Sequence, residues 1–118
     1  MPIINIFHPE RNKHKRLLET IAAIVSYSLE IPQTNVWIFW NKPKKNEFFK
    51  QDWNNNNKPA PALFIQCRES YNKQQIQNVV EKLTYELKGV FKCSENEIFI
   101  SFVRVRRGDL FSQGNLWN

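Results

Sequence analysis

The 118-residue chain has few cysteines and no long apolar run, and each shortage excludes a class of protein. Its two cysteines, Cys67 and Cys93, lack CxxC spacing, so neither a disulfide scaffold nor a cysteine-based metal site is expected. No apolar stretch approaches the ~20 residues of a membrane-spanning helix, and no basic segment precedes an apolar one as in a secretory signal. We therefore expect a cytoplasmic protein with reduced thiols, no metal and no membrane association.

Acidic residues are also in the minority: the chain has 11 Asp and Glu and 17 Lys and Arg, which gives a net charge of +6. Such an excess favours an anionic partner: a small carboxylate, a phosphate or a nucleic acid. The charge alone does not choose among them. What the chain does contain is 42% hydrophobic and 14% aromatic residues, enough for a single domain, residues 1–118, with a packed core.

The first half of the chain reads as a βαβ unit. An apolar, β-branched run predicts a strand at 2–7, and apolar residues spaced by three and four predict an amphipathic helix over 11–29. Pro32 stops that helix, and a continuous apolar run predicts a strand at 35–40. We assign residues 2–41 to this first repeat.

The pattern returns about sixty residues later as a second repeat, 62–105. It predicts a strand at 62–67, a helix through 76–87 closed by Gly89, and a strand at 97–105. The repeats are separated by a Pro-, Lys- and Asn-rich connecting loop, 42–61, with room for a short strand at Phe48-Phe49. A tail, 106–118, contains a turn and a short terminal segment.

Two tandem βαβ repeats predict an α+β fold with one four-stranded mixed sheet and both helices on one face. Residues 36–40 and 98–103 are apolar at nearly every position, which is typical of strands buried on both faces. Two helices cover only one face, so we expect another copy of the chain to cover the other.

The most distinctive local feature is Pro2. Methionine before a small residue is normally removed, which would leave Pro2 with a free secondary amine. An α-amine titrates near ~7.7–8.0, and apolar walls or a nearby cation lower that pKa, which would yield a base poised near neutral pH. The alternative is that the Met-Pro start has no functional meaning.

Three segments resemble the tautomerase superfamily: MPIINI at the start, the Leu29 to Pro32 helix end before a strand, and LFSQGN at 110–115. The two fused repeats resemble the longer, malonate semialdehyde decarboxylase-like members. The resemblance covers nearly the whole chain outside the Asn-rich loop. It implies the 4-oxalocrotonate tautomerase and macrophage migration inhibitory factor fold, a homotrimer with its sheets turned inward, and a keto–enol isomerase without a cofactor.

The resemblance also implies site residues. Pro2 matches the catalytic proline, and Arg68, in CRES at 67–70, matches an arginine that would hold the carboxylate of a small-molecule substrate. A bidentate guanidinium–carboxylate pair would orient an enol or α-keto acid and stabilise a developing enolate. Cys67 should point to the opposite side of its strand from Arg68 and be inert.

Several positions depart from the family pattern. Arg11 follows a shortened first loop, Trp37 stands where short tautomerases carry an arginine, and Phe111 either walls the pocket or seals a subunit contact. Asn35 replaces an aspartate of the decarboxylase, and Ser70 replaces a second arginine. Decarboxylation and hydration are therefore less favoured than isomerisation.

Two other functions remain open from the sequence. A nucleic-acid-binding module would use Arg104 to Arg107 and the lysine-rich loop, but the positive charge is spread over loops and helix faces. A non-catalytic tautomerase-fold interaction protein would keep the trimer without the chemistry.

Overall fold

The chain folds as two βαβ units that share one sheet. In this computed structural model, residues 2–55 and 57–118 are described. The elements in chain order are β1 (Ile3–Phe7), α1 (Leu17–Leu29), β2 (Trp37–Asn41), α2 (Gln51–Asn54), β3 (Ala62–Arg68), α3 (Lys73–Phe91), β4 (Phe99–Val105), β5 (Phe111–Ser112) and β6 (Asn115–Leu116).

The main sheet has the order β2-β1-β3-β4, which confirms the predicted four-stranded mixed sheet. Each repeat contributes a parallel pair, and the two pairs meet where β1 runs antiparallel to β3. Ile3 lies opposite Gln66 and Phe7 opposite Ala62. The start of β1 therefore lies beside the end of β3, and the two repeats are related by an approximate two-fold axis.

The core lies between the sheet and the helix pair α1 and α3. Alternate residues of the central strands point into it, as the two-residue period of a strand requires. Its buried apolar side chains are Ile4, Ile6, Leu17, Ile21, Val25, Leu29, Leu63, Ile65, Val79, Leu83 and Leu87. Each such side chain contributes about 1.5–3 kcal/mol by leaving water, so this layer supplies most of the driving force for folding.

The second face of the sheet is open in the single chain. Its large apolar side chains are 41–52% exposed, namely Trp37, Phe39, Phe64, Phe99 and Val103. None of the described elements covers this side, so within one chain β2 and β4 are covered on one face only, and the predicted burial of their second face depends on another copy of the chain. Apolar surface of this extent is typical of an interaction site.

Both long helices differ from their predicted bounds. Helix α1 begins at Leu17 rather than residue 11, because Asn12 Oδ1 accepts the His14 N–H at 2.9 Å and turns the chain. The charges of Lys13, Lys15 and Arg16 would also oppose the positive end of the helix dipole. Helix α3 continues past Gly89 to Phe91, because Val90 and Phe91 pack against the core, and Lys92 takes the left-handed terminal conformation instead.

The connecting segment also differs from the predicted loop. Phe48-Phe49 forms no strand: Phe48 packs edge-on against Trp53, and Phe49 is 96% exposed. Helix α2 follows them instead. Single 3-10 turns precede β2 and β4, which therefore start two residues later than predicted.

The tail forms the predicted turn and terminal segment as a hairpin of β5 and β6. Its two turn residues, Gln113 and Gly114, have φ of 53° and 80°, as a two-residue type I′ turn requires. Among the described residues, no helix is both long and apolar enough to span a bilayer.

Candidate active site

One end of the sheet, which we call the Pro2 edge, gathers most of the residues predicted to act. It consists of the starts of β1 and β2, the ends of β3 and β4, and the tail hairpin that follows. The Trp37 N–H donates to the Pro2 carbonyl at 3.1 Å, and Arg68 lies opposite Val105 in the β3–β4 register. The antiparallel arrangement of the two repeats thus brings Pro2 and Arg68 to the same edge.

Pro2 is fully buried and continues the alternation that buries Ile4 and Ile6. When the β1–β3 register is extended by one pair, Pro2 lies opposite Cys67, whose side chain is also buried. Burial disfavours the charged form of any amine at this position and would lower its pKa. Met1, whose removal would create that amine, lies outside the described residues.

A cavity of about 400 Å³ adjoins the Pro2 edge. Its lining residues are Ile3, Trp37, Gln66, Cys67, Val105, Leu110, Phe111, Ser112 and Gln113. Trp37 and Phe111, both singled out from the sequence, form two of its walls. Most of the lining is apolar, so the cavity suits the hydrocarbon body of a ligand rather than a bare anion.

Arg68 lies in an adjoining cleft of about 260 Å³. Leu110, Ser112 and Gln113 line both spaces, so the hairpin joins them. Arg68 Nε is buried and has no hydrogen-bond partner among the described residues. A buried guanidinium N–H without an acceptor is costly, and a ligand carboxylate would remove that cost.

Three predicted residues line neither space. Pro2 is the first, because it is buried in phase with Ile4 and only its neighbour Ile3 reaches the wall of the larger cavity. Arg11 is exposed and follows the far end of β1, roughly 13–17 Å along the strand from Pro2 at about 3.3 Å per residue. Asn35 lies in the turn before β2, near the Pro2 edge, where its N–H donates to the Pro32 carbonyl. It does not line the cavity. Their roles stay predictions.

Cys67 points to the buried face of β3 and Arg68 to the other face, as strand alternation predicts. Burial raises the pKa of its thiol, and the charge of Arg104 only partly opposes this. The thiol is therefore protonated at neutral pH and acts as a wall rather than a nucleophile.

The sequence analysis missed several lining residues. Gln66 could have been found, because it lies two residues before Arg68 and so faces the same side of β3. Val105 and Leu110 depend on how the tail folds back, which no local pattern shows. Within the described residues, no cluster of three or more His, Cys, Asp or Glu side chains could hold a metal.

No protein-family model and no curated protein matches the sequence. Solved structures do match, at low sequence identity. An asymmetric trimer of wild-type fused 4-OT has a TM-score of 0.83 and 10% identity, with 97% of this chain and 94% of that chain covered. Pt0534 inactivated by 2-oxo-3-pentynoate has a TM-score of 0.80 and 15% identity over 98% and 94%. Macrophage migration inhibitory factor from Oncomelania hupensis has a TM-score of 0.81 and 15% identity over 100% and 83%.

Proposed function

We propose that this chain, which has the fold of the tautomerase superfamily, is a keto–enol isomerase acting on a small enol or α-keto carboxylate without a cofactor. The observation that carries the proposal is the apolar cavity at the Pro2 edge, joined to a cleft that holds the unpartnered Arg68. An amine, an apolar chamber and a guanidinium within one site are what such a proton transfer requires.

Pro2 would carry the proton. Once Met1 is removed, the neutral secondary amine accepts the proton of the enol hydroxyl, and the resulting ammonium returns a proton to the neighbouring carbon. The net change is one proton moved from oxygen to carbon, with no other reactant consumed. Burial of Pro2 supports the proposal, because it would lower the pKa of the amine toward neutral pH.

Arg68 would hold the substrate carboxylate. Its guanidinium can donate two parallel N–H bonds to a carboxylate, and the same positive charge stabilises the enolate that develops next to it. Trp37 and Phe111 would pack against the rest of the substrate. The resemblance to malonate semialdehyde decarboxylase in particular stays a prediction.

We further propose a homotrimer in which the open sheet faces are covered by neighbouring copies. The exposed apolar side chains of β2, β3 and β4 support this, and a fused 4-OT of the same fold is an asymmetric trimer. In such an assembly Arg11, which does not reach the Pro2 edge of its own chain, would serve a neighbour's site. Light scattering should then give three times 14.1 kDa; a monomer would contradict the trimer.

The cytoplasmic location also stays a prediction.

The direct test is Pro2→Ala, assayed for ketonisation of phenylenolpyruvate after mass spectrometry has confirmed loss of Met1. Removing the secondary amine of proline should lower the rate about 100-fold or more, the usual contribution of a positioned acid–base group. Pro61→Ala is the matched control, because Pro61 is an equally buried proline before β3 but carries no free amine.

Correctly processed Pro2→Ala protein with wild-type activity would overturn the proposed role of Pro2. A stable trimer that neither turns over enol acids nor binds carboxylates would instead support the non-catalytic alternative.

A further inference from the structure

We propose that Trp117 is a positioning residue for Arg68: its ring, with Arg107, holds the Arg68 guanidinium so that its N–H edge stays free for a carboxylate. This inference rests on the proposed function, since it concerns the same site. It assigns a specific task to the C-terminal hairpin, whose only role described so far is to join the two cavities.

Two guanidinium groups lie against the same indole ring. Arg68 Cζ lies 4.8 Å from the centre of the Trp117 ring, and Arg107 Cζ lies 4.9 Å from it. Both distances are within the ~6 Å range of a cation–π contact. Arg68 is 39 residues from Arg107 and 49 residues from Trp117 in sequence, yet all three side chains meet at this ring.

Backbone hydrogen bonds fix the position of Trp117. Its N–H donates to the Leu110 carbonyl at 2.7 Å, and its carbonyl accepts the Gly108 N–H at 2.5 Å. Gly108 has φ of 94°, a conformation that favours glycine and lets the chain turn back at this point. The indole ring is thus presented to Arg68 by a closed hairpin rather than by a loose end.

Arg107 is fixed from the other side. Its backbone N–H donates to Glu69 Oε2 at 3.1 Å, and its Nη1 donates to the Asn118 carbonyl at 2.5 Å. Arg104 in turn donates to the carbonyls of Glu69 and Tyr71, which holds the turn after β3. Arg107 thus connects the Trp117 ring to Glu69, the residue that follows Arg68 in the chain.

The geometry of stacking explains why such a ring would help binding. A cation–π contact uses the flat face of a guanidinium, whereas a carboxylate binds along its edge in the same plane. The contact with Trp117 therefore restrains Arg68 without pairing any of its N–H donors with an acceptor. Among the described residues no carboxylate pairs with Arg68, and its Nε is left without an acceptor. The second guanidinium, of Arg107, adds positive charge next to the same cleft.

The test compares Trp117→Leu, Trp117→Phe and wild type for binding of 3-phenylpropanoate and of its neutral amide, measured by calorimetry. Trp117→Leu should weaken binding of the carboxylate about 5- to 30-fold, the range of a partly desolvated cation–π contact, and leave the amide within twofold. Trp117→Phe, which keeps an aromatic face, should recover most of the loss. For phenylenolpyruvate KM should rise and kcat should fall, because the same guanidinium binds the carboxylate and stabilises the developing enolate.

Arg107→Gln and Arg106→Gln form a matched pair. Both residues are exposed, and both variants remove one positive charge at adjacent positions, but Arg106 pairs with Asp109, whereas Arg107 lies over the indole ring. Arg107→Gln should weaken carboxylate binding several-fold, and Arg106→Gln should leave it unchanged. This pair decides the question even if Trp117→Leu fails to fold by circular dichroism.

Equal weakening of carboxylate and amide by Trp117→Leu would show that Trp117 is only a wall and would overturn the inference. Equal effects of Arg107→Gln and Arg106→Gln, or a wild type that prefers the amide, would also overturn it. Failure of the proposed function looks different: the wild type would bind 3-phenylpropanoate with the expected Trp117 dependence but would not turn over the enol.

Discussion

The two ends of the sheet each have a buried proline before a central strand, but the surroundings of the two prolines differ. Pro2 precedes β1 and Pro61 precedes β3; both are fully buried, and each carbonyl accepts the N–H of the first residue of the parallel neighbour. The distances are 3.1 Å from Trp37 and 3.3 Å from Phe99. Internal symmetry therefore extends to the hydrogen bonds that hold each proline.

Buried polar contacts surround Pro61. Asp52 Oδ2 accepts the Ala60 N–H at 2.7 Å, and the Trp53 indole N–H donates to the Ala60 carbonyl at 2.6 Å. Lys50 pairs with Asp52 at 2.6 Å. A cleft of about 520 Å³ also lies at this end, but polar and charged residues such as Asp52 and Glu97 line it, whereas the cavity of about 400 Å³ at the Pro2 edge is mostly apolar. The comparison teaches that two equivalent prolines of a duplicated unit can have different surroundings: an apolar cavity adjoins the Pro2 edge, and buried hydrogen bonds and an ion pair hold the Pro61 end.

Of the variants that test this comparison, Asp52→Ala should change the free energy of unfolding most. The side chain is buried, and its loss leaves the Ala60 N–H without its acceptor and Lys50 without its partner. We expect a loss of about 3 kcal/mol in the free energy of unfolding, measured with urea. Activity per folded molecule should be unchanged, because the Pro2 edge is not touched.

Asp109→Ala is the matched control for that variant, since Asp109 makes only an exposed pair with Arg106 and should cost less than about 1 kcal/mol. A comparable loss in the two variants would contradict the view that the Pro61 end is held by Asp52.

A smaller effect should come from His8, which lies at the Pro61 end of β1. It is 2% exposed, accepts the Glu10 N–H at Nδ1, and has Nε2 3.2 Å from the Pro59 carbonyl. Burial lowers the pKa of His8 below its ordinary value of 6.5, although contacts with the Pro59 and Glu10 carbonyls and the charge of Glu10 oppose the shift. Between the folded and the ordinary pKa the unfolded chain binds more protons.

The free energy of unfolding should therefore hold its full His8 contribution above pH 6.5 and lose it as the pH falls toward the folded pKa. Urea unfolding of wild type and His8→Gln between pH 8 and 5 measures this, with His14→Gln as the control that also lacks one histidine. If the curve of His8→Gln is as steep as that of wild type over this range, another group is responsible.

The alternating burial of Ile4 and Ile6 and the helical spacing of Val79, Leu83 and Leu87 follow from local periodicity, so the repeat architecture was predictable. The start of α1 was not, because Asn12 turns the chain through a side-chain hydrogen bond. The spacing of apolar residues does not reveal where a side chain bonds to the backbone in this way.

The site was predictable only in part. Pro2, Arg68, Trp37 and Phe111 do lie at one edge, since strand order determines where each strand begins and ends. The contact of Trp117 with Arg68 joins residues 49 positions apart and depends on how the tail folds back. No spacing rule reaches that far. The contact of Asp52 with Ala60 joins residues eight apart, but it depends on helix α2, which the composition of the connecting loop did not predict.

The most direct measurement is covalent labelling with 2-oxo-3-pentynoate, the compound that inactivates Pt0534. Protein whose mass shows loss of Met1 would be treated across a range of pH and mapped by peptide mass spectrometry. The account predicts a single adduct on the nitrogen of Pro2, formed at a rate that follows an ionisation below the ~7.7–8.0 of an ordinary α-amine. Labelling that spares Pro2 and spreads over the exposed lysines would contradict it.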